Sequence, residues 1–195
     1  MATGEVLVTD QEQVSGEELV PTQYTTSDRV LIPIDRWVVL VDASWEQSKK
    51  TGWGAVFYNK EGTLADIRCE QGVAEDPLHA EAIALLSTLQ EIEQRMSTDE
   101  SQRYIIFSDC QVLVKAVTTA NADIPSWKAT KTIAKCTRLV HQWGDIVRVK
   151  HVLRTALAEP HGLANKARRT GMTLHNLPHA MIRQRLKIRN KIDTE

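Results

Sequence analysis

Asp42, Glu81 and Asp109 are the residues of this 195-residue chain whose types and spacing point most directly to chemistry. Asp42 ends the apolar run Trp37-Val38-Val39-Leu40-Val41. Glu81 lies one turn into the helical pattern Leu78-His79-Ala80-Glu81-Ala82-Ile83-Ala84-Leu85-Leu86. Asp109 follows Tyr104-Ile105-Ile106-Phe107-Ser108 and precedes a second helical pattern. A carboxylate at the edge of an apolar core costs free energy unless a cation or hydrogen bonds compensate it. If three converge, they repel one another, and a divalent cation between them removes the repulsion. Hard oxygen ligands select Mg²⁺ or Mn²⁺ over zinc. Two such ions form a clamp for phosphoryl transfer, one activating water and the other stabilising the leaving 3′ oxygen. No protein nucleophile is required. The sequence has no Gly-x-Ser-x-Gly turn and no convincing Cys–His pairing.

Each acid taken singly has a plainer reading. An Asp after a strand is more often a turn or cap residue, and Asp109 could simply cap its helix. Glu81 could be an exposed helical acid, although Ala80 and Ala82 flank it. The conjunction on one order of elements is more specific than any member.

The elements that must position these residues follow from the apolar pattern. Trp37–Asp42 reads as a central strand. Lys49–Gly52 reads as a turn, Trp53–Tyr58 as a second strand, Asn59–Gly62 as a hairpin turn and Thr63–Glu70 as a third strand. Asp76-Pro77 is a helix start, an N-cap followed by proline at the first helical position, and that helix extends to about Met96. Arg103–Phe107 is a strand, Gln111–Ala120 a helix, Pro125–Gln142 a longer helix, Ile146–Leu153 a fifth strand and Pro160–Thr170 a final helix. The order βββαβααβα predicts an α/β fold, a five-stranded mixed sheet with helices on both faces. Thr9–Thr26 shows no period, and Val30–Ile34, broken by Pro33, is at best an edge segment. The expected division is an acidic, mobile lead-in over residues 1–35, a domain over 36–170 and a basic tail over 171–195 that includes an amphipathic helix around Met181–Lys191.

Composition narrows the classes. An apolar fraction of 42% supports a core. No stretch approaches the roughly 20 apolar residues that span a bilayer, and residues 1–10 lack the basic start and apolar stretch of a secretory signal. No membrane role is expected. Cys69, Cys110 and Cys136 are widely spaced and odd in number, which favours a reducing compartment, nuclear or cytoplasmic. His175 and His179 are four apart, but nothing nearby completes a metal site. Net charge is −1 but uneven: residues 1–35 carry seven acids against Arg29, and residues 150–195 carry ten bases against three acids. The basic end suits nucleic acid, or is a solvated helix.

Four stretches resemble type-1 ribonuclease H, in particular the plant branch found in reverse-transcriptase-derived proteins. Val39-Leu40-Val41-Asp42-Ala43-Ser44-Trp45 resembles its first-strand Asp-Gly-Ser motif, and Gly52-Trp53-Gly54-Ala55-Val56 its glycine-bearing second strand. His79–Leu85 resembles the helix with the metal-binding Glu, and Phe107-Ser108-Asp109-Cys110-Gln111 the turn with the third acid. The resemblance covers roughly residues 36–170. It implies a two-metal nuclease that hydrolyses the RNA strand of RNA–DNA hybrids, with Asp42, Glu81 and Asp109 as catalytic metal ligands and two Mg²⁺ or Mn²⁺ ions as cofactors. The family's fourth catalytic Asp opens its last helix. Here Pro160-His161-Gly162-Leu163-Ala164-Asn165 places His161 there. Imidazole is a poor ligand for Mg²⁺ and an acceptable one for Mn²⁺. Glu159 is a possible substitute, and His151 falls too early, in the strand, for the mobile histidine of some members.

Proteins of this kind read the shape of a hybrid through 2′-hydroxyls and phosphates. The resemblance places Ser44 near the substrate backbone. Lys128, Lys131, Lys135 and Arg138, spaced three, four and three apart, share one helical face that could follow phosphates or could simply be solvated. Trp127 reads as packing, and Trp37, Trp53 and Trp143 as core or core edge. Two other readings stand beside the nuclease: a nucleic-acid-binding module with a degraded site, motivated by His161, and a fragment of a reverse-transcriptase polyprotein. A flavodoxin-like nucleotide binder fits poorly, because Asp42-Ala43-Ser44-Trp45 stands where a glycine-rich phosphate loop would be.

Overall fold

Continuous β-branched and aromatic runs form the centre of the molecule. The computed structural model describes residues 35–99, 101–119, 122 and 124–175, and the backbone of 25–27 and 30–32. Five strands, β3 (Trp37–Trp45), β4 (Lys50–Tyr58), β5 (Leu64–Val73), β6 (Tyr104–Ser108) and β7 (Val147–His151), make one sheet in the order β5-β4-β3-β6-β7. The meander β3–β4–β5 is antiparallel, whereas β6 runs parallel to both β3 and β7. Helices α1 (Pro77–Met96), α2 (Gln111–Thr118), α3 (Thr130–Trp143) and α4 (Ala158–Thr170) complete the domain. This is the expected mixed sheet and element order. The amphipathic helix expected around Met181–Lys191 and the residue His179 lie outside the described residues. Among the described residues, no helix is long and apolar enough to cross a membrane.

Three local expectations need correction. Thr25–Ser27 (β1) pairs antiparallel with Val30–Ile32 (β2) in a separate two-stranded sheet, so the latter is no edge of the main sheet and the former is not patternless. The first hairpin turns at Glu46–Lys49 instead of Lys49–Gly52. Lys49 takes the left-handed conformation (φ 66°), and the Glu46 amide donates to Lys50 O at 3.1 Å. Thr51 and Gly52 are thereby inside the ladder. Helix α3 starts at Thr130, five residues later than Pro125. Ser126 is tied through its hydroxyl to Asp76, the N-cap of α1, and Trp127 and Lys128 occupy the turn that follows.

The two faces of the sheet carry different cores. Val39, Val41 and Ala43 of β3 pack with the buried face of α1 and with Leu113, Ile133 and Val140. Val38 and Leu40 pack with Ile105, Phe107 and Leu157 on the other side. Side chains alternate along a strand, so Asp42 and Ser44 share the face of Val38 and Leu40, which is the α4 face.

Helix α1 is held from both ends. Asp76 accepts the His79 amide at 2.8 Å as N-cap, and Pro77 sits at the first turn, where its missing N–H costs nothing. Near its other end, Glu91 and Arg95 join Asp66 and Arg68 of β5 in a four-member ion network, with Arg68 Nη2 donating to Glu91 at 2.7 Å. The outer edge of β5 is met by the chain leaving α4: Cys69 and Leu174 exchange backbone hydrogen bonds of 3.3 and 2.8 Å.

Helix α4 rests directly on the backbone of β4. In the cross-strand register Gly54 is opposite Asp42 and Gly52 opposite Ser44. A Cβ on Gly54 would lie 2.5 Å from Pro160 O and 2.7 Å from Leu163 Cβ. One on Gly52 would lie 2.3 Å from Ala164 O. Only a residue without a Cβ permits that approach. Gly54→Val is therefore expected to destabilise the domain by about 3 kcal/mol, the upper end of overpacking costs, in chemical denaturation. Gly72→Ala, whose Cβ would meet only Thr51 Cγ2 at 3.5 Å, is expected to change it by less than about 1 kcal/mol.

Candidate metal centre and its polar wall

The pairing of β3 with β6 ends at Leu40 and Phe107. Beyond it the strands part, and the gap opens at the carboxyl ends of parallel strands, where open α/β sheets commonly place their sites. Asp42 projects from β3 two residues past the last pair, and Asp109 is the first residue after β6. Glu81 reaches the same gap from α1. One carboxylate oxygen from each lies within 4.8 Å of the others. Among the described residues, this is the group of acids, histidines or cysteines able to hold a metal ion.

Asp42 is buried at 2% exposure, and Glu81 and Asp109 are half-buried. Burial raises the Asp42 carboxyl above its ordinary range, and the charge of Asp109 adds to the effect, while the hydrogen bond from His161 opposes it. Burial pushes Glu81 well up, reinforced by Asp42 and then Asp109. The Ala43 backbone amide favours the charged form of both. Three crowded carboxylates with little compensation are the donor set that a hard divalent cation requires. Cys110, next to Asp109, offers no nucleophile, because burial holds its thiol up at about 11.

The wall of the site is α4. His161 Nδ1 lies 2.6 Å from Asp42 Oδ2. Asn165 Nδ2 lies 2.8 Å from His161 Nε2, and Ser44 Oγ is 2.7 Å from Asn165 Oδ1. Arg168 Nε donates to Ser44 Oγ at 2.7 Å, and its Nη1 pairs with Glu46. Arg154, exposed in the short 3₁₀ turn before α4, brings Nη2 to 3.5 Å from His161 Nδ1. Ser44, Arg154, His161, Asn165 and Arg168, with Glu81, line a cavity of about 350 Å³.

The remaining sequence candidates fall elsewhere. Lys131, Lys135 and Arg138 are exposed on α3, which packs against α1 and α2. Lys128 is exposed in the turn ahead of α3, so the helical face carries three of the four cations. Trp127 is 82% exposed, not packed, because the late start of α3 leaves it off the buried face. Glu159 does not stand in for a fourth acid: it is exposed and accepts a hydrogen bond from the Tyr58 hydroxyl. His151 is the exposed last residue of β7. Ser44 is buried with its hydroxyl engaged by α4. Asn165, Arg168, Glu46 and Arg154 were not anticipated. The spacing of 161, 165 and 168, four and three, puts Asn165 and Arg168 on the helical face of His161, but no local pattern points to Glu46 or Arg154.

Residues 40–167 match the family model described as reverse transcriptase-like. No curated protein matches the chain. Among solved structures, LC11-RNase H1 isolated from compost superposes with a TM-score of 0.62 at 15% identity, over 69% of this chain and 96% of that one. RNase H1 from the halophilic archaeon Halobacterium salinarum gives 0.57 at 19% identity, over 68% and 96%. LC11-RNase H1 in complex with an RNA/DNA hybrid gives 0.60 at 15% identity, over 68% and 96%. At such identities the likeness concerns the fold, while the family match spans most of the chain. The chain belongs to the reverse transcriptase-like family, with a ribonuclease-H-like fold.

Proposed function

We propose that the chain is a divalent-metal-dependent nuclease that hydrolyses the RNA strand of RNA–DNA hybrids. The single observation that carries this reading is the gathering of the Asp42, Glu81 and Asp109 carboxylates within 4.8 Å at the parting of β3 and β6. Similarity to a fold whose compost representative was solved with an RNA/DNA hybrid supports the substrate class.

In this reading the three carboxylates hold Mg²⁺ or Mn²⁺, two ions in all. Bound there, the metal supplies Lewis acidity that lowers the pKa of a water and neutralises charge on the leaving oxygen. The chain's own part is positional. Burial and mutual repulsion keep the carboxylates poised for a cation, and the Ala43 amide steadies two of them. His161 orients Asp42 through Oδ2. Ser44 contributes to the floor of the cavity beside the scissile strand. Lys128, Lys131, Lys135 and Arg138 provide an exposed cationic strip for the phosphates of the substrate.

One observation favours a second reading, a nucleic-acid-binding module without turnover. An imidazole, that of His161, stands where the fourth acid is expected and occupies an oxygen of Asp42. The two readings separate on turnover.

Purified protein is expected to cleave a hybrid but not duplex DNA in Mg²⁺ or Mn²⁺. Asp42→Asn and Asp109→Asn should each lower the rate by more than about 100-fold, on the order of 3 kcal/mol of barrier. Wild type inactive with both metals while still binding hybrid would replace the enzyme by the binding module. The charge crowding gives a stability test. Glu81 has its folded-state pKa raised, so its contribution favours folding at low pH and is lost as pH rises through the folded value. Metal-free Glu81→Gln is accordingly expected to melt above wild type at pH 7.5 by at least about 2 °C, the shift that about 1 kcal/mol produces in a chain of this size. The gain should vanish at about pH 4, below the ordinary carboxyl value. Added Mn²⁺ should raise the melting temperature of wild type more than that of the variant. Finally, Lys131→Glu with Lys135→Glu should weaken hybrid binding and flatten its salt dependence by roughly two ionic contacts, read by fluorescence anisotropy across a salt series.

A further inference from the structure

Ser44 of β3 and Arg168, Asn165 and His161 of α4 form a chain of hydrogen bonds whose direction is set at its Arg168 end. Arg168 Nε can only donate, so Ser44 Oγ accepts there, at 2.7 Å. The one proton of the Ser44 hydroxyl is then free for Asn165 Oδ1, at 2.7 Å. With its carbonyl turned to Ser44, Asn165 presents its NH₂ to His161 Nε2, at 2.8 Å. An amide NH₂ only donates, so Nε2 accepts and the ring proton sits on Nδ1. There it meets Asp42 Oδ2 at 2.6 Å, a carboxylate oxygen that only accepts when ionised. Turning the Asn165 amide over would set its NH₂ against Ser44 Oγ and leave the hydroxyl proton without this acceptor. Arg168 is itself anchored by Glu46, and Ser44 and Asp42 sit on alternate positions of β3 facing three α4 residues in helical register.

We propose that Arg168, Ser44 and Asn165 are positioning residues that act through His161, making it an N–H donor to Asp42 and not a metal ligand. Both ring nitrogens are engaged, Nε2 with Asn165 and Nδ1 with Asp42 at 2.6 Å, far closer than the 3.5 Å to Arg154 Nη2, which can only donate. His161 therefore supports a ligand carboxylate from outside and leaves the ion to the three acids. Outer partners of this kind set ligand orientation and tune affinity, typically by about 10–100-fold. The expected effect on a metal rests on the reading of the acid trio as a cation centre. The hydrogen-bond direction does not.

The experiment has two arms on the full chain. The first locates the ring proton of His161 in ¹⁵N-labelled, metal-free protein at neutral pH by long-range ¹H–¹⁵N correlation, assigned by its absence in His161→Gln. A proton on Nδ1 with Nε2 bare is expected, and a proton on Nε2 overturns the proposal. The second measures Mn²⁺ affinity by calorimetry for wild type, Asp109→Asn, Asn165→Leu, Ser44→Ala and Arg168→Lys, each checked for folding by its amide spectrum. Asn165→Leu and Ser44→Ala should each lose about ten-fold, whereas Arg168→Lys, which keeps a pure donor, should stay within about two-fold of wild type. Unchanged affinity in both Asn165→Leu and Ser44→Ala overturns the positioning role. Wild-type affinity in Asp109→Asn would instead refute the metal centre, and the first arm would still decide the direction of the chain.

Discussion

Repulsion among three carboxylates in a partly dry gap is the constraint around which this domain is arranged. Left to themselves, such groups would move apart or take up protons. They stay together because each belongs to an element fixed by an independent set of contacts. Asp42 is held by a strand with neighbours on both sides, Asp109 by the turn between β6 and α2, and Glu81 by a twenty-residue helix capped at Asp76 and tied to β5 by the Arg68–Glu91–Arg95–Asp66 network. The two apolar cores, one on each face of the sheet, supply the stability against which that local repulsion is set.

The α4 face adds direction to this arrangement. Two glycines of β4 remove the side chains that would otherwise hold the helix off, and polar groups of β3 then meet polar groups of α4 at hydrogen-bond distance. Strand alternation and helical repeat come into step there: 42, 44 and 46 on one side, 161, 165 and 168 on the other. A polar ladder of this type, fully satisfied, specifies one relative placement of helix and strand much more sharply than apolar packing can.

What was legible in the sequence was whatever depends on local pattern. The unbroken apolar runs before Asp42 and Asp109 marked central strands, and Asp76-Pro77 marked the helix that carries Glu81, so the order of elements and the identity of the clustered acids could be read directly. What was not legible depends on long-range ties. The delayed start of α3 comes from Ser126 bonding to Asp76, fifty residues away, and the exposure of Trp127 follows from it. The turn at Glu46–Lys49 uses a left-handed lysine, for which no glycine or asparagine signalled. Asn165 and Arg168 looked like ordinary helical polar residues, because their partner Ser44 lies more than a hundred positions earlier.

The exchange of hydrogen bonds between Cys69 and Leu174 bears on how copies of this chain behave toward one another. A sheet of five strands has two outer rims, and bare rims invite another strand to add on. On the meander side, the peptide leaving α4 occupies the rim at its middle, so a foreign strand finds no continuous row of free amides and carbonyls there. The opposite rim, β7, is short and carries the exposed cations Arg148 and Lys150. One border is thus blocked by the chain itself and the other guarded by charge, which disfavours fibre-like stacking of this domain in concentrated solution.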